Sequence, residues 1–157
     1  MLFYMAVYIV MTLGAFLCVL WMRDAEGRPV ESIASLSGLS QNRPLFAAAL
    51  AIFMFSLAGI PPLFGFWPKL LVFQAAVASG YVALAVAAII GTVVGAYYYL
   101  KIIKVMYMDE PAEPYARPRE PLQGLLILLA ALIVSPLGYL LIGPLSAITD
   151  RAAGSLF

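Results

Sequence analysis

Histidine is absent from this sequence, and cysteine occurs once, at Cys18. Without imidazole there is no bis-histidine haem site and none of the common zinc ligand sets, so no metal site is expected. A lone cysteine in an apolar window forms no intrachain disulfide and reads as a buried spectator. Charge is scarce too. Charged residues make up 11% of the chain, against roughly 25% in ordinary soluble domains. The net charge of +1 carries no nucleic-acid footprint. The scarcity is uneven: residues 1–22, 44–68, 70–100 and 121–149 contain no charged side chain at all. Each window exceeds the roughly 20 apolar residues that cross a hydrocarbon core.

What remains is a membrane chain, with 64% hydrophobic residues and a mean hydropathy of +1.00. An all-α integral membrane fold follows, because open strand edges cannot face lipid. The pattern predicts one membrane domain, residues 1–157, with about four transmembrane helices in the lipid bilayer, the second discontinuous. Expected spans are 2–22, 44–79 (broken near 60–67), 80–100 and 122–141. No basic region precedes the first apolar run and no convincing small-residue cleavage site follows, so it is expected to be retained rather than removed as a signal.

Tyr4 and Tyr8 near one end of the first span and Trp21 at the other suit the two interfaces. In the connection 23–43, which also holds Asp24, Glu26 and Arg28, Val30, Ile33, Leu36 and Leu39 recur every three residues with Glu31, Ser32 and Ser35 between. That pattern fits either a short surface helix or a solvated loop. The connection 101–121 alternates prolines with charges from Asp109 onward, the composition of an aqueous loop. Pro136 can kink the last span, beyond which a short exposed or interfacial tail is expected. Gly91, Gly95 and Gly138, with Thr92 and Ser135, read as close-packing positions between helices. Tyr97, Tyr98 and Tyr99 form an interfacial belt whose three side chains must point different ways. Arg23, Arg28 and Arg43 mark the first connection; Lys101, Lys104, Arg117 and Arg119 mark the second. The positive-inside rule puts both in the cytoplasm and both termini on the other side.

The most informative stretch is Ser56-Leu-Ala-Gly-Ile-Pro-Pro-Leu-Phe-Gly-Phe-Trp-Pro-Lys69. An unbroken helix over 44–79 would be about 54 Å long, well beyond the hydrocarbon thickness. Pro61, Pro62 and Pro68 each lack an amide donor and push the preceding residue away from helical geometry. Two half-helices are therefore expected, from Pro44 to about Gly59 and from Pro68 to about Ser79. Irregular backbone at such depth survives only inside protein or beside a wet cavity. Lys69 would then lie in the first turn of the second half-helix. Desolvation and the positive end of that helix both penalise its ammonium, so it can take up and release a proton. Ionisable residues within the membrane are functional by default; the plainer alternative is that Lys69 snorkels to the surface. Ser56 and Gln74 flank the break as candidate polar lining, able to hold water, satisfy freed carbonyls or bond between helices. No carboxylate lies in any of the spans to serve as counter-charge.

With Ser37-Gly-Leu-Ser, Arg43-Pro, Gly95-Ala-Tyr-Tyr-Tyr-Leu-Lys101 and the opening Tyr4-Met-Ala-Val-Tyr-Ile-Val-Met-Thr-Leu-Gly-Ala-Phe16, this stretch resembles the antiporter-like subunit N (mitochondrial subunit 2) family of respiratory complex I. That complex is the proton-pumping NADH:quinone oxidoreductase. Many bacterial members carry glycine before the lysine, where this chain has Pro68. The resemblance implies that the chain is the C-terminal part of an inverted-repeat antiporter-like fold. It implies a helix break at Gly59, Pro61, Pro62, Gly65 and Pro68, with Lys69 as a relay in a transmembrane proton path. It also implies partners: other membrane subunits of the complex, and the subunit's missing N-terminal helices in cis or as a separate chain. The location would be the bacterial inner (plasma) membrane, or the mitochondrial inner membrane if organellar. No cofactor is expected in this chain; NADH, FMN, iron–sulfur clusters and quinone would be bound elsewhere. A subunit of a multisubunit cation/proton antiporter is the competing reading, and a structural or assembly segment with Lys69 as spectator is the third.

Overall fold

The computed structural model describes residues 2–23, 27–28, 30, 32–111 and 121–154. The charges Asp24, Glu26, Glu31, Arg117 and Arg119 lie outside them. Among the described residues seven α-helices follow in order: α1 (Leu2–Trp21), α2 (Leu39–Asn42), α3 (Pro44–Ala58), α4 (Phe66–Ala78), α5 (Val82–Met108), α6 (Pro121–Val134) and α7 (Ile142–Gly154). Short 3-10 segments, Ile33–Leu36 and Pro136–Leu141, precede α2 and α7. Helix α3 sits at the centre, packed on α1, α5 and α6. Its Phe46, Ala47, Leu50, Ala51, Phe53 and Met54 join Met11 and Cys18 of α1 and Ile127 and Ala131 of α6 in one apolar core. Close approach is built in at Gly14, where a Cβ would run into the Phe53 ring.

By length and composition α1 and α5 can each cross a membrane, and a third crossing is available if the bent pair Pro121–Val134 and Pro136–Thr149 acts as one span. Helices α3 and α4 are apolar but short, 15 and 13 residues. They are the two halves of the discontinuous element. Helix α3 begins at Pro44, whose missing N–H is harmless in a first turn.

Helix α5 departs from the expected end at residue 100, running on to Met108 and carrying Lys101 and Lys104 within it. Lysine is a good helix former, and no proline or glycine intervenes. Its 27 residues span about 40 Å, longer than a hydrocarbon core of about 30 Å. Tyr99 packs against the core, while Tyr97 and Tyr98 are exposed. Gly91 and Gly95 have open space around them within this chain, unlike the close packing expected there. Between α1 and α3, the described residues 32–43 form neither a regular surface helix nor a plain loop. The 3-10 turn and the one-turn α2 bury Leu36 and Leu39. The Gly38 amide donates to Val105 O at 3.1 Å and the Ser37 hydroxyl to Glu110 O, so this connection is stapled to the end of α5.

Past α6 the chain kinks by 69° on reaching Pro136, as expected, and an amphipathic helix, α7, forms where a short exposed or interfacial tail is expected. Proline explains the corner. In a continuing helix the Leu132 carbonyl would accept from residue 136, but Pro136 has no N–H. The Ser135 hydroxyl takes that place, donating to Leu132 O at 2.7 Å and accepting from Leu137 N at 3.2 Å. Ser135 itself is extended (φ −68°, ψ 174°), as a residue before proline prefers. Ser135→Ala strips both bonds and is expected to cost about 1–3 kcal/mol, read as a lowered thermal midpoint in detergent.

Candidate functional site

Helix α3 ends in a glycine turn. Gly59 is left-handed (φ 81°, ψ 37°). Its amide donates to Ser56 O at 3.0 Å and the Ile60 amide to Phe55 O at 3.1 Å, the paired bonds of a Schellman motif. Two carbonyls farther along, those of Leu57 and Ala58, would in a continuing helix accept from residues 61 and 62. Both are proline, so neither partner exists. An orphaned carbonyl in apolar surroundings costs several kcal/mol. Lys69 answers the first of them. Its Nζ donates to Leu57 O at 2.6 Å.

The irregular stretch is 59–65 rather than 60–67, since α4 begins at Phe66. Pro68 is the third residue of that helix, and Trp67 before it is helical, contrary to the displacement expected for a pre-proline residue. At that position Pro68 itself costs no hydrogen bond, since first-turn amides have no intrahelical partner to lose. Lys69 thus closes the first turn of α4 and reaches back across the break. Its ammonium lies between the carbonyl end of α3, which favours a cation, and the amide end of α4, which opposes one. The α3 end is a stabiliser that the sequence reading did not supply. The readable signal for it was Pro61, four residues after Leu57. Among the described residues no carboxylate is in ion-pair range of Nζ, so a main-chain dipole takes the role of counter-charge.

Every non-proline amide from Gly59 to Phe66 has a partner. Leu63 N donates to Ile60 O, Phe66 N to Leu63 O, and Phe64 N to Val134 O at 3.0 Å. Gly65 N donates to Ser56 Oγ at 2.9 Å. The Val134 carbonyl is itself freed by the corner after α6, where the Gly138 amide turns to Ser135 O instead. Two broken helices therefore satisfy each other. Aromatic rings close over the joint: Phe64 lies edge-on to Phe3 and Tyr139, and Trp67 to Tyr139.

Of the expected site residues, Lys69, Gly59, Gly65 and Ser56 are brought together, with Leu63, Phe64, Gly65 and Pro68 buried and Pro61 and Pro62 exposed. Ser56 is fully buried, but it does not serve a freed carbonyl. Its hydroxyl donates to Met11 Sδ at 3.0 Å while accepting from Gly65. Gln74 lies more than one turn beyond Lys69 on an exposed face of α4, apart from the break. Gly65 has no room for a side chain, since a Cβ would collide with the Ser56 carbonyl, the Ser56 hydroxyl and Met11 Sδ. Chemically the site offers one amine that can gain or lose a proton.

A family model described as "NADH:quinone oxidoreductase/Mrp antiporter, TM" matches residues 1–95, which include the break and Lys69. A protein of Rhizorhabdus wittichii named NADH-quinone oxidoreductase subunit N is 63% identical over 98% of this chain and 32% of its own length. One of the same name from Erythrobacter litoralis is 48% identical over 100% of this chain and 32% of its own. In three dimensions the chain is similar to a chain of respiratory complex I from Thermus thermophilus, solved with bound aureothin. The TM-score is 0.76 and the identity 33%, over 90% of this chain and 32% of that one. The chain thus spans about a third of the length of the curated relatives it matches.

A methyl group at Gly59 would sit 3.0 Å from Lys69 Cδ and 3.2 Å from Nζ, at a φ that L residues resist. Gly59→Ala is therefore expected to lose about 1–2 kcal/mol from backbone strain alone. Thermal unfolding of the full-length subunit measures it, and an unchanged midpoint would contradict this geometry.

Proposed function

The chain belongs to the NADH:quinone oxidoreductase/Mrp antiporter transmembrane family, and on that premise we propose that it is part of a proton-translocating membrane subunit of NADH:quinone oxidoreductase. Lys69 is its protonatable station. The observation that carries this reading is the Lys69 ammonium resting on the Leu57 carbonyl at a helix break within an apolar bundle. In the protonated state the ammonium satisfies a carbonyl that no backbone amide reaches. When a proton acceptor arrives, the lysine can release a proton because no carboxylate among the described residues fixes its charge. Charge then moves through the membrane without any redox step in this chain.

The translocase activity belongs to the assembly. Its other membrane subunits, and the helices of the subunit beyond this chain, are the partners in this proposal. NADH, FMN, iron–sulfur clusters and quinone are bound elsewhere in it. The location is the bacterial inner membrane, with the connections 23–43 and 101–121 on the cytoplasmic side. The stapling of the first connection to the end of α5 supports placing them together. The family description also covers cation/proton antiporters; the names of the relatives at 48% and 63% identity favour the quinone-linked assembly.

Arginine separates a relay from a structural cation, because a guanidinium bonds a carbonyl yet stays protonated. In the assembled complex, Lys69→Arg and Lys69→Ala are both expected to lower proton translocation by about tenfold or more. Assembly, followed on native gels stained for NADH dehydrogenase, is expected to persist. Normal pumping by Lys69→Arg would remove the relay role.

A further inference from the structure

We propose that Ser56 is the positioning residue for Lys69, a role that rests on Lys69 being the relay. The adjacent residues Ser56 and Leu57 hold two points of α4 at once. The Ser56 hydroxyl fixes the amide of Gly65, the residue capping α4, at 2.9 Å. The Leu57 carbonyl holds Lys69 Nζ, one turn into the same helix, at 2.6 Å. The distance from lysine to carbonyl is therefore set by a frame whose other side is the Ser56–Gly65 bond.

The hydroxyl suits this task because both of its capacities are used. Its proton goes to Met11 Sδ on α1 and its lone pair accepts from Gly65, so a single oxygen ties α1, α3 and the start of α4. A buried serine in a helix commonly returns its proton to the carbonyl of its own preceding turn; here the proton is directed outward to a thioether, a weak acceptor. Gly65 enforces the fit, since a Cβ there would collide with the oxygen that holds it. Ser56 does not touch Nζ, so it acts through α4 and not on the proton itself.

The frame also explains how a helix interrupted over residues 59–65 can still present a side chain to one particular carbonyl. Pro61 and Pro62 are exposed and contribute no amide, so the stretch has few internal bonds. Apart from its turns, it is fixed from outside, by Ser56 of α3 and by the Val134 carbonyl of α6. Of these two, only Ser56 shares an element with the carbonyl that seats the lysine.

The test uses the full-length subunit in the assembled complex, with three substitutions at one position. Ser56→Ala removes the hydroxyl. Ser56→Cys keeps nearly the same volume but is a poor hydrogen-bond partner. Ser56→Thr retains the hydroxyl. Three quantities are read: assembly on native gels, protons translocated per NADH oxidised, and labelling of Lys69 by a membrane-permeant succinimidyl ester, located by peptide mass spectrometry. The alanine and cysteine variants are expected to assemble, to translocate several-fold fewer protons per NADH and to label Lys69 several-fold faster. The threonine variant is expected to restore both values. If alanine fails to assemble, the cysteine–threonine pair decides. Unchanged labelling and pumping in an assembled cysteine variant overturns the role of Ser56 and leaves the Lys69 relay standing. Normal pumping by Lys69→Arg overturns both together.

Discussion

A main-chain carbonyl without an amide partner is hard to keep in apolar surroundings, and this chain creates such carbonyls wherever proline falls four residues downstream. It does so at Leu57 and Ala58, opposite Pro61 and Pro62, and again at Leu132, opposite Pro136. Leu57 and Leu132 are resolved by different chemistry. At Leu132 the partner is the Ser135 hydroxyl, a neutral group that holds its proton at any physiological pH. At Leu57 the partner is the Lys69 amine. On the proposed relay reading, one break is a fixed corner and the other a place where charge changes.

The central position of α3 follows from the same constraint. Irregular backbone at residues 59–65 is tolerable only where protein supplies partners, so the end of α3 has to meet α1, α4 and α6 together. Met11 on α1 receives the Ser56 proton, and Val134 on α6 accepts from Phe64. The corner after α6 is part of the arrangement and not an independent kink, because the carbonyl it frees is the one that Phe64 uses. Phe3, Phe64, Trp67 and Tyr139 seal that joint with edge-on ring contacts, which stabilise it without adding polar groups that would need partners of their own.

Much of this was legible in the residues. Charge-free windows mark the apolar elements, and Pro61, Pro62 and Lys69 mark the break and its chemistry. Other features escaped for identifiable reasons. Pro68 reads as a helix start, yet α4 begins two residues earlier, because first-turn positions forgive a missing amide. Lys101 reads as the end of a span, yet helical propensity carries α5 past the apolar window to Met108. Gln74 reads as near the break along the chain, but its place on the helix turns it away from Lys69. The largest omission is the Leu57 carbonyl. Patterns of side chains do not display main-chain acceptors; counting four residues back from each proline does.

Whether Lys69 rests on the Leu57 carbonyl is the claim on which the proton relay depends. Solid-state NMR of the full-length subunit in lipid, with nitrogen-15 in lysine and carbon-13 in leucine carbonyls, tests it directly. A through-space contact between a lysine Nζ and the Leu57 carbonyl carbon, lost in Lys69→Arg, is the expected result. A Lys69 nitrogen that contacts water or lipid but not the Leu57 carbonyl would contradict it.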